Sequence, residues 1–366
     1  MIKILHAADF HLDSPFESLP EEKAMQRRRE GRTLISSMAD LARREAVDLI
    51  VLAGDLLDSA RSYYETGEAL LSVFGKLDIP VFIAPGNHDN YNATSPYAVL
   101  KFPPNVHIFR TGTIEQVELE DKPCTVWGAA FTSEASPALL NTFRTPECGG
   151  KRTHIMVLHG NVGEPESKYN PIDEAEIARS GLQYLALGHK HTFSGLQKSG
   201  DTYWAYPGCP EGRGFDETGK KGVIIAEIET GHVQARFVPL GKRQYRIIDV
   251  DLTERTDAME AVAAAVAGGA GEDICRIVLT GAYGGTLDLG KISDGVADRF
   301  FHVVLRDETR LLRDIWAQAE EDTLRGLFLR KMRARYEAGD EAERHKIILA
   351  VRYALAAMER GEEWMI

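Results

Sequence analysis

The 366-residue chain has only four cysteines, and no two of them show the C-x-x-C spacing of a thiolate metal site. Cys124, Cys148, Cys209 and Cys275 are scattered, which argues against a disulfide framework and suits a reducing compartment. No apolar run approaches the roughly 18–20 residues that span a bilayer, so no membrane anchor is expected. A signal peptide is not expected either: Met1–Ala8 reads as one strand, and Asp9 follows at once. These absences make a cytoplasmic protein the expectation. The chain also lacks the basic excess that advertises a nucleic-acid binder, since its formal net charge is −12. That excludes little, because bound divalent cations can be the largest local charges where a phosphate sits. A composition of 44% hydrophobic and 27% charged residues is that of a soluble globular protein. The length calls for two or three domains.

What the chain does have is five polar clusters, each placed directly after an apolar run. They are Asp9-Phe10-His11, Gly54-Asp55, Gly86-Asn87-His88-Asp89, His159-Gly160-Asn161 and Gly188-His189-Lys190-His191. The runs before them, Ile2–Ala8, Leu49–Ala53, Val81–Ala84, Ile155–Leu158 and Leu182–Leu187, read as buried strands. Ligand sites of open α/β sheets lie where strands end and loops begin, so five such ends can meet in one crevice.

The alternation continues to about residue 240, with helices expected within Glu21–Glu45 and over about Glu65–Leu77. Further strands are expected at Cys124–Gly128, Thr202–Tyr206, Val223–Ile228 and Val233–Pro239. The fold class expected is α/β: a four-layer sandwich of two sheets with helices outside, a small α/β cap domain and a C-terminal helical segment. A break at Gly241-Lys242-Arg243 places the catalytic domain at 1–242 and the cap at 243–307. In the cap, Tyr245–Leu252, Ile274–Thr280 and His302–Leu305 read as strands, while Asp257–Val266 and Lys291–Phe300 read as helices. From Glu308 the pattern is helical, with Leu311, Leu312, Ile315, Ala319, Leu324, Leu327 and Phe328 at helical spacing. Ile347, Ile348, Val351, Leu355 and Met358 repeat that spacing in the same 308–366 segment.

Two divalent metals held about 3.5–4 Å apart need a bridging ligand and several nitrogen and oxygen donors. Asp55, on a tight turn after Gly54, is the natural bridge. Asp9, His11 and His191 with shared Asp55 make one four-ligand set; Asn87, His159 and His189 with Asp55 make the other. His189 and His191, two apart on one extended segment, share a face. Oxygen and nitrogen donors without thiolate suit manganese or iron, allow zinc, and suit magnesium less. His88 remains as the candidate general acid or phosphate clamp, with Asp89 placed to orient its ring. Ordinary turn chemistry accounts for Gly54-Asp55 alone as well as a metal does; it does not account for five convergent clusters. His6 is expected to be buried and hydrogen-bonded, and His107, His154, His232, His302 and His345 to be ordinary.

These residues resemble the calcineurin-like metallophosphoesterase superfamily, whose motifs run D-x-H, G-D, G-N-H-D/E, H and G-H-x-H. The serine/threonine phosphatases resemble G-D-x-x-D-R-G, and Gly54-Asp55-Leu56-Leu57-Asp58 lacks that arginine. Within the superfamily the likeness is to SbcD-type DNA-repair exonucleases, particularly the YhaO-like branch. It is carried by Leu5–Phe16, by Gly54–Asp58, and by Tyr206-Pro207-Gly208-Cys209-Pro210 running on to Gly214-Phe215-Asp216-Glu217. The resemblance implies metal-site roles for Asp9, His11, Asp55, Asn87, His159, His189 and His191, with His88 in catalysis. It also implies manganese, a homodimer, and an SMC-like SbcC-type ATPase partner bound through the C-terminal helices. Asp13 stands where many such proteins have glycine, and Cys209 where they have serine.

The function expected is a manganese-dependent DNA exonuclease or endonuclease in repair. The alternatives are a small-molecule phosphodiesterase or nucleotidase, and a catalytically idle scaffold. Arg213, beyond the G-H-x-H strand, is the candidate substrate contact. Arg27-Arg28-Arg29, Arg32 and Lys220-Lys221 can meet DNA phosphates, but a solvated face explains them as readily. Arg325–Arg335 joins apolar and basic residues as a partner-docking helix would; an ordinary helical hairpin explains it nearly as well.

Overall fold

A computed structural model describes residues 1–59, 62–146, 152–269, 271–311 and 316–359. Cys148, Leu312 and Ile315, singled out above, lie outside these residues. The chain forms two compact units, Met1–Arg246 and Ile247 onward.

In the first unit the chain runs β1 (Ile2–Ala7), α1 (Glu21–Arg44), β2 (Leu49–Leu52), α2 (Tyr64–Phe74), β3 (Val81–Ile83), α3 (Pro96–Val99) and β4 (Val106–Ile108). It continues β5 (Glu115–Glu118), β6 (Cys124–Gly128), β7 (Thr153–His159), the short pair β8 (Asn161–Val162) and β9 (Pro171–Ile172), α4 (Glu174–Arg179), β10 (Tyr184–Gly188), β11 (Gln197–Ser199), β12 (Thr202–Ala205), β13 (Gly222–Glu229) and β14 (His232–Pro239). Six strands in the order β14-β13-β1-β2-β3-β4 make one sheet, and β11-β12-β10-β7-β6-β5 make the other. β1 through β4 are mutually parallel, as are β6, β7, β10 and β12.

The two-residue period of a strand explains the layering. Ile4, Leu49, Val51, Ile155, Val157, Tyr184 and Ala186 belong to one buried cluster between the sheets. Their neighbours Leu5, Ala7, Ile50 and Leu52 face the other way, against Leu34, Ile35 and Met38 of α1 and Leu70 and Phe74 of α2. Met156, Leu158, Leu185 and Leu187 likewise pack outward with Ile177 of α4. Both faces of each central strand are therefore buried, which is why these strands read as unbroken apolar runs. The result is the expected four layers. α1 carries Glu21 and Glu22 in its first turn and Arg43 and Arg44 in its last, complementing the helix dipole.

The second unit holds β15 (Tyr245–Asp251, begun in the first), α5 (Ala258–Ala265), β16 (Ile274–Thr280), β17 (Ala282–Tyr283), α6 (Leu289–Val296), β18 (His302–Asp307), β19 (Arg310–Leu311), α7 (Leu324–Ala338) and α8 (Glu341–Glu359). β15-β16-β18 form a sheet whose apolar residues pack on Val262 of α5 and Ile292 of α6. The helical pattern expected from Glu308 starts later. Arg310–Leu311 pairs with Ala282–Tyr283 as a strand, and α7 begins only at Leu324. Leu329 of α7 packs on Ile347 and Val351 of α8, while Leu324 is 77% exposed. Among the described residues no helix is long and apolar enough to cross a membrane.

Candidate metal centre

The C-terminal ends of β1, β2 and β3 in one sheet, and of β7 and β10 in the other, open onto the same place. Main-chain bonds from Asp9 N to Gly54 O (3.0 Å) and from His11 N to Asp55 O (2.9 Å) zip the first two loops together. Gly54 has φ +89°, and a Cβ there would strike the His159 ring. A Cβ on Gly188 would strike the Ala53 carbonyl oxygen, so the ends of the two sheets meet there backbone to backbone. Asp9, His11, Asp55 and His189 all take left-handed φ values (55°, 43°, 50° and 108°). Such strain, of order 1–3 kcal/mol per residue, concentrates at functional sites.

Asp9, His11, Asp55 and His159 form a floor that is almost wholly buried, at 0–2% exposure. Asn87, His88, His189 and His191 are more exposed and form the open side. On the floor, His159 Nε2 lies 3.3 Å from Asp55 Oδ2 and His11 Nε2 lies 3.7 Å from the same oxygen. His11 Nε2 and His191 Nε2 are 3.2 Å apart; His159 Nε2 is 3.1 Å from His189 Nδ1 and 2.9 Å from Asn87 Oδ1. The ligand atoms of Asp9, His11 and His191 all lie within 4.8 Å of one another, and so do those of Asp55, His159 and His189. These are the side chains of the two sets expected from sequence, brought together by the fold.

The tautomers test whether cations belong there. Asp58 Oδ1 can only accept, so His11 Nδ1 at 3.0 Å carries the proton and Nε2 is left as a lone pair. His159 Nδ1 donates to Ala53 O (3.0 Å) and His191 Nδ1 to Glu217 Oε1 (2.6 Å), so Nε2 is the nitrogen each leaves for the floor. Three imidazole Nε2 atoms thus converge with carboxylate and amide oxygens, a set that is stable only with protons or cations among them. Outer partners of this kind, fixing the ring and its tautomer, are what metal-ligating histidines have. The donor set fits divalent metals.

Local electrostatics show the same demand. Burial, opposed by the imidazoles of His159 and His191, holds Asp9 up at about 6. Asp55 stays well below the usual carboxylate range, because the charge and hydrogen bond of His159 outweigh its desolvation. His159, against its own burial, is raised to about 9 by Asp55 and Asp9. Burial lowers His11 and His189 to about 4. The pocket pulls positive charge onto itself, and a metal answers that pull as well as a proton does.

Several sequence expectations change here. Asp89 does not orient His88: its buried carboxylate accepts from Gly86 N (2.8 Å), Leu57 N (3.1 Å) and the Tyr97 hydroxyl, bracing the loop instead. His88 is steered by Asp58, whose carbonyl oxygen accepts from Nδ1 at 3.1 Å, and its ring stands edge-on to His11. Arg213 is only partly exposed, and its guanidinium is paired with Asp58 (3.1 Å) and Glu217 (3.0 Å). Arg27 is buried against Glu211 and Gly212 O, and Lys221, also buried, donates to His191 O, so neither belongs to a solvated face or reaches DNA; Arg28 bonds Pro15 O and Glu21, and Arg32 reaches Asp13. Asp13 takes φ 71°, the conformation glycine adopts freely, and ties its loop to Tyr63 N (2.9 Å) and the Thr66 hydroxyl (2.6 Å). Cys209 is buried beside Glu217 and His191 O. His6 is fully buried and bonded to Tyr184 and Leu187 O, as expected.

Asp58 and Glu217 are the functional residues that sequence reasoning misses. Both sit inside quoted motifs, and each matters through a partner more than twenty residues away that sequence spacing alone does not reveal.

The profile of the calcineurin-like phosphoesterase family matches residues 2–193, more than half of the chain. The chain belongs to that family. It is 31% identical over 265 residues to the uncharacterised metallophosphoesterase YhaO of Bacillus subtilis, covering 69% of this chain and 64% of YhaO. It is 27% identical to the D component of the nuclease SbcCD of the same organism, over 63% of this chain and 67% of that protein. To the DNA double-strand break repair protein Mre11 of Saccharolobus solfataricus it is 26% identical, over 62% of this chain and 60% of that one. The matches thus span only about two thirds of each relative's length.

Proposed function

We propose that this chain is a two-metal phosphodiester hydrolase, a manganese-dependent DNA nuclease of repair that works in the cytoplasm with an SMC-like ATPase. The observation that carries the chemistry is the convergence of the His11, His159 and His191 Nε2 atoms on the carboxylates of Asp9 and Asp55. Asp9, His11, His191 and Asp55 would hold one cation, and Asn87, His159, His189 and Asp55 the other. When bound, two divalent metals supply Lewis-acid charge for the phosphate oxygens and for an attacking water. The chain's own residues do the rest. The buried floor keeps bulk water from behind the metals, and the more exposed edge at His88 lets a phosphate enter. With Nδ1 donating to Asp58 O, His88 would protonate the leaving oxygen from Nε2 as the imidazolium, the form that carries a proton on both ring nitrogens. The nuclease relatives favour DNA as the substrate. Exposed Leu324, Leu327 and Tyr353 on α7 and α8 favour a docking role for 308–366, with 243–307 as a cap on the 1–242 catalytic domain. Homodimer formation belongs to the same proposal.

The test is purified chain with manganese against labelled linear duplex, single strands and bis-p-nitrophenyl phosphate. DNA cleavage that disappears in His88→Ala supports the reading. Turnover of the dye ester alone points to a small-molecule phosphodiesterase, and no turnover with both metals bound points to an idle scaffold.

A further inference from the structure

One guanidinium joins two of the histidines that face the same cation position. Asp58 Oδ1 accepts from His11 Nδ1 at 3.0 Å and from Arg213 Nη1 at 3.1 Å. Glu217 Oε1 accepts from His191 Nδ1 at 2.6 Å and from Arg213 Nη2 at 3.0 Å. Each carboxylate oxygen is therefore shared between one tine of the arginine fork and one imidazole. Glu217 is fixed further by its other oxygen, which accepts from Arg213 N at 2.7 Å. The Arg213 and Asp58 side chains are 22% and 21% exposed and Glu217 only 7%, so the pairing is shielded from salt. Without the arginine, Asp58 and Glu217 would stand as two carboxylates with like charge beside an already acidic floor. The second cation position has no such device. There His159 is oriented by a main-chain oxygen, Ala53 O, and Asn87 and His189 have no contact with Arg213.

We propose that Arg213 is a positioning residue, clamping His11 and His191 through Asp58 and Glu217 so that the Asp9–His11–His191 position binds its metal tightly while the other is set independently. The proposal rests on the two-metal reading above. It replaces the substrate contact expected of Arg213, whose two terminal nitrogens are already engaged. Lysine cannot take its place, because a single ammonium lacks the fork that spans both carboxylates.

The experiment is a manganese titration of EDTA-treated full-length chain by calorimetry, with electron paramagnetic resonance to count bound ions. Wild type is expected to bind two manganese ions; fewer would sink the two-metal reading itself, whatever Arg213 does. Arg213→Met is expected to keep one ion at wild-type affinity and to weaken the other roughly ten- to a hundredfold, the usual effect of removing an outer partner. Glu217→Gln, which can still accept through one oxygen but loses the charge that holds the guanidinium and the acceptor for Arg213 N, is expected to weaken the same ion. Arg213→Lys is expected to fall between them and wild type. In a His159→Ala background one ion remains, and adding Arg213→Met is expected to remove it. Two sites of wild-type affinity in Arg213→Met, or equal weakening of both, overturns the proposal. Wild-type behaviour of Arg213→Lys at both sites overturns the clamp in favour of bare charge. If Arg213→Met fails to fold by circular dichroism, Glu217→Gln and Arg213→Lys decide by the same criteria.

Discussion

His88 and His6 show how far one imidazole's role depends on its surroundings. As general acid, His88 matters in proportion to how badly the leaving group needs a proton. DNA leaves as an alkoxide, whereas p-nitrophenolate is already a stable anion. His88→Ala is therefore expected to slow DNA cleavage by roughly 10²–10⁴-fold while affecting the dye ester much less and leaving manganese stoichiometry unchanged; steady-state rates on both substrates check this. His6 does no chemistry, but its burial depresses its pKa to about 3. An unfolded chain takes up that proton near pH 6.5, while the folded chain refuses it until about 3. Stability contributed by His6 is thus complete above pH 6.5 and lost as pH falls towards 3, at about 1.4 kcal/mol per pH unit. Between pH 7.5 and 5.5, the unfolding free energy of the metal-free wild type in urea should decline more than that of His6→Gln, by on the order of 1 kcal/mol. All seven proposed ligands are legible in the sequence because each sits at a strand end in a distinctive string. Asp58 and Glu217 are not, because they act on loops distant in the chain, and Asp89 is misassigned because its near partners are a main-chain N–H at Gly86 and the Tyr97 hydroxyl.

At the scale of elements, the close joint where Gly54 meets His159 and Gly188 meets Ala53 holds the two sheets' ends together. Gly54→Ala must force a side chain into φ +89° and into the His159 ring, so a loss of about 1–3 kcal/mol is expected in urea unfolding. Manganese affinity should fall with it. The buried parallel strands are readable within a residue or two, because an unbroken apolar run leaves little choice. Val106–Ile108 and Glu115–Glu118 give no such signal, being short and half-exposed at sheet edges. Helix α4 does carry one that goes unread in the sequence analysis: Asp173 and Glu176 form a reciprocal capping box at its start. The C-terminal stripe misleads at its beginning, since an apolar spacing compatible with helix also suits the short β19 pairing.

For the whole molecule, a net charge of −12 means that the proposed DNA substrate should bind only with metal present. In cleavage-deficient His88→Ala protein, fluorescence anisotropy with a labelled duplex should show affinity in EDTA at least about tenfold weaker than in manganese at equal ionic strength. Equal affinity in both would mean that the substrate is held elsewhere. The strand order β14-β13-β1-β2-β3-β4 carries a further consequence. Strand β1 sits inside its sheet, and its second edge is closed only when Gly222–Glu229 returns to pair antiparallel with it. During translation β1 must therefore wait for more than two hundred residues, an unpaired edge in a growing polypeptide. A chain that stops just before β13 holds every proposed metal donor on a sheet with one edge still open.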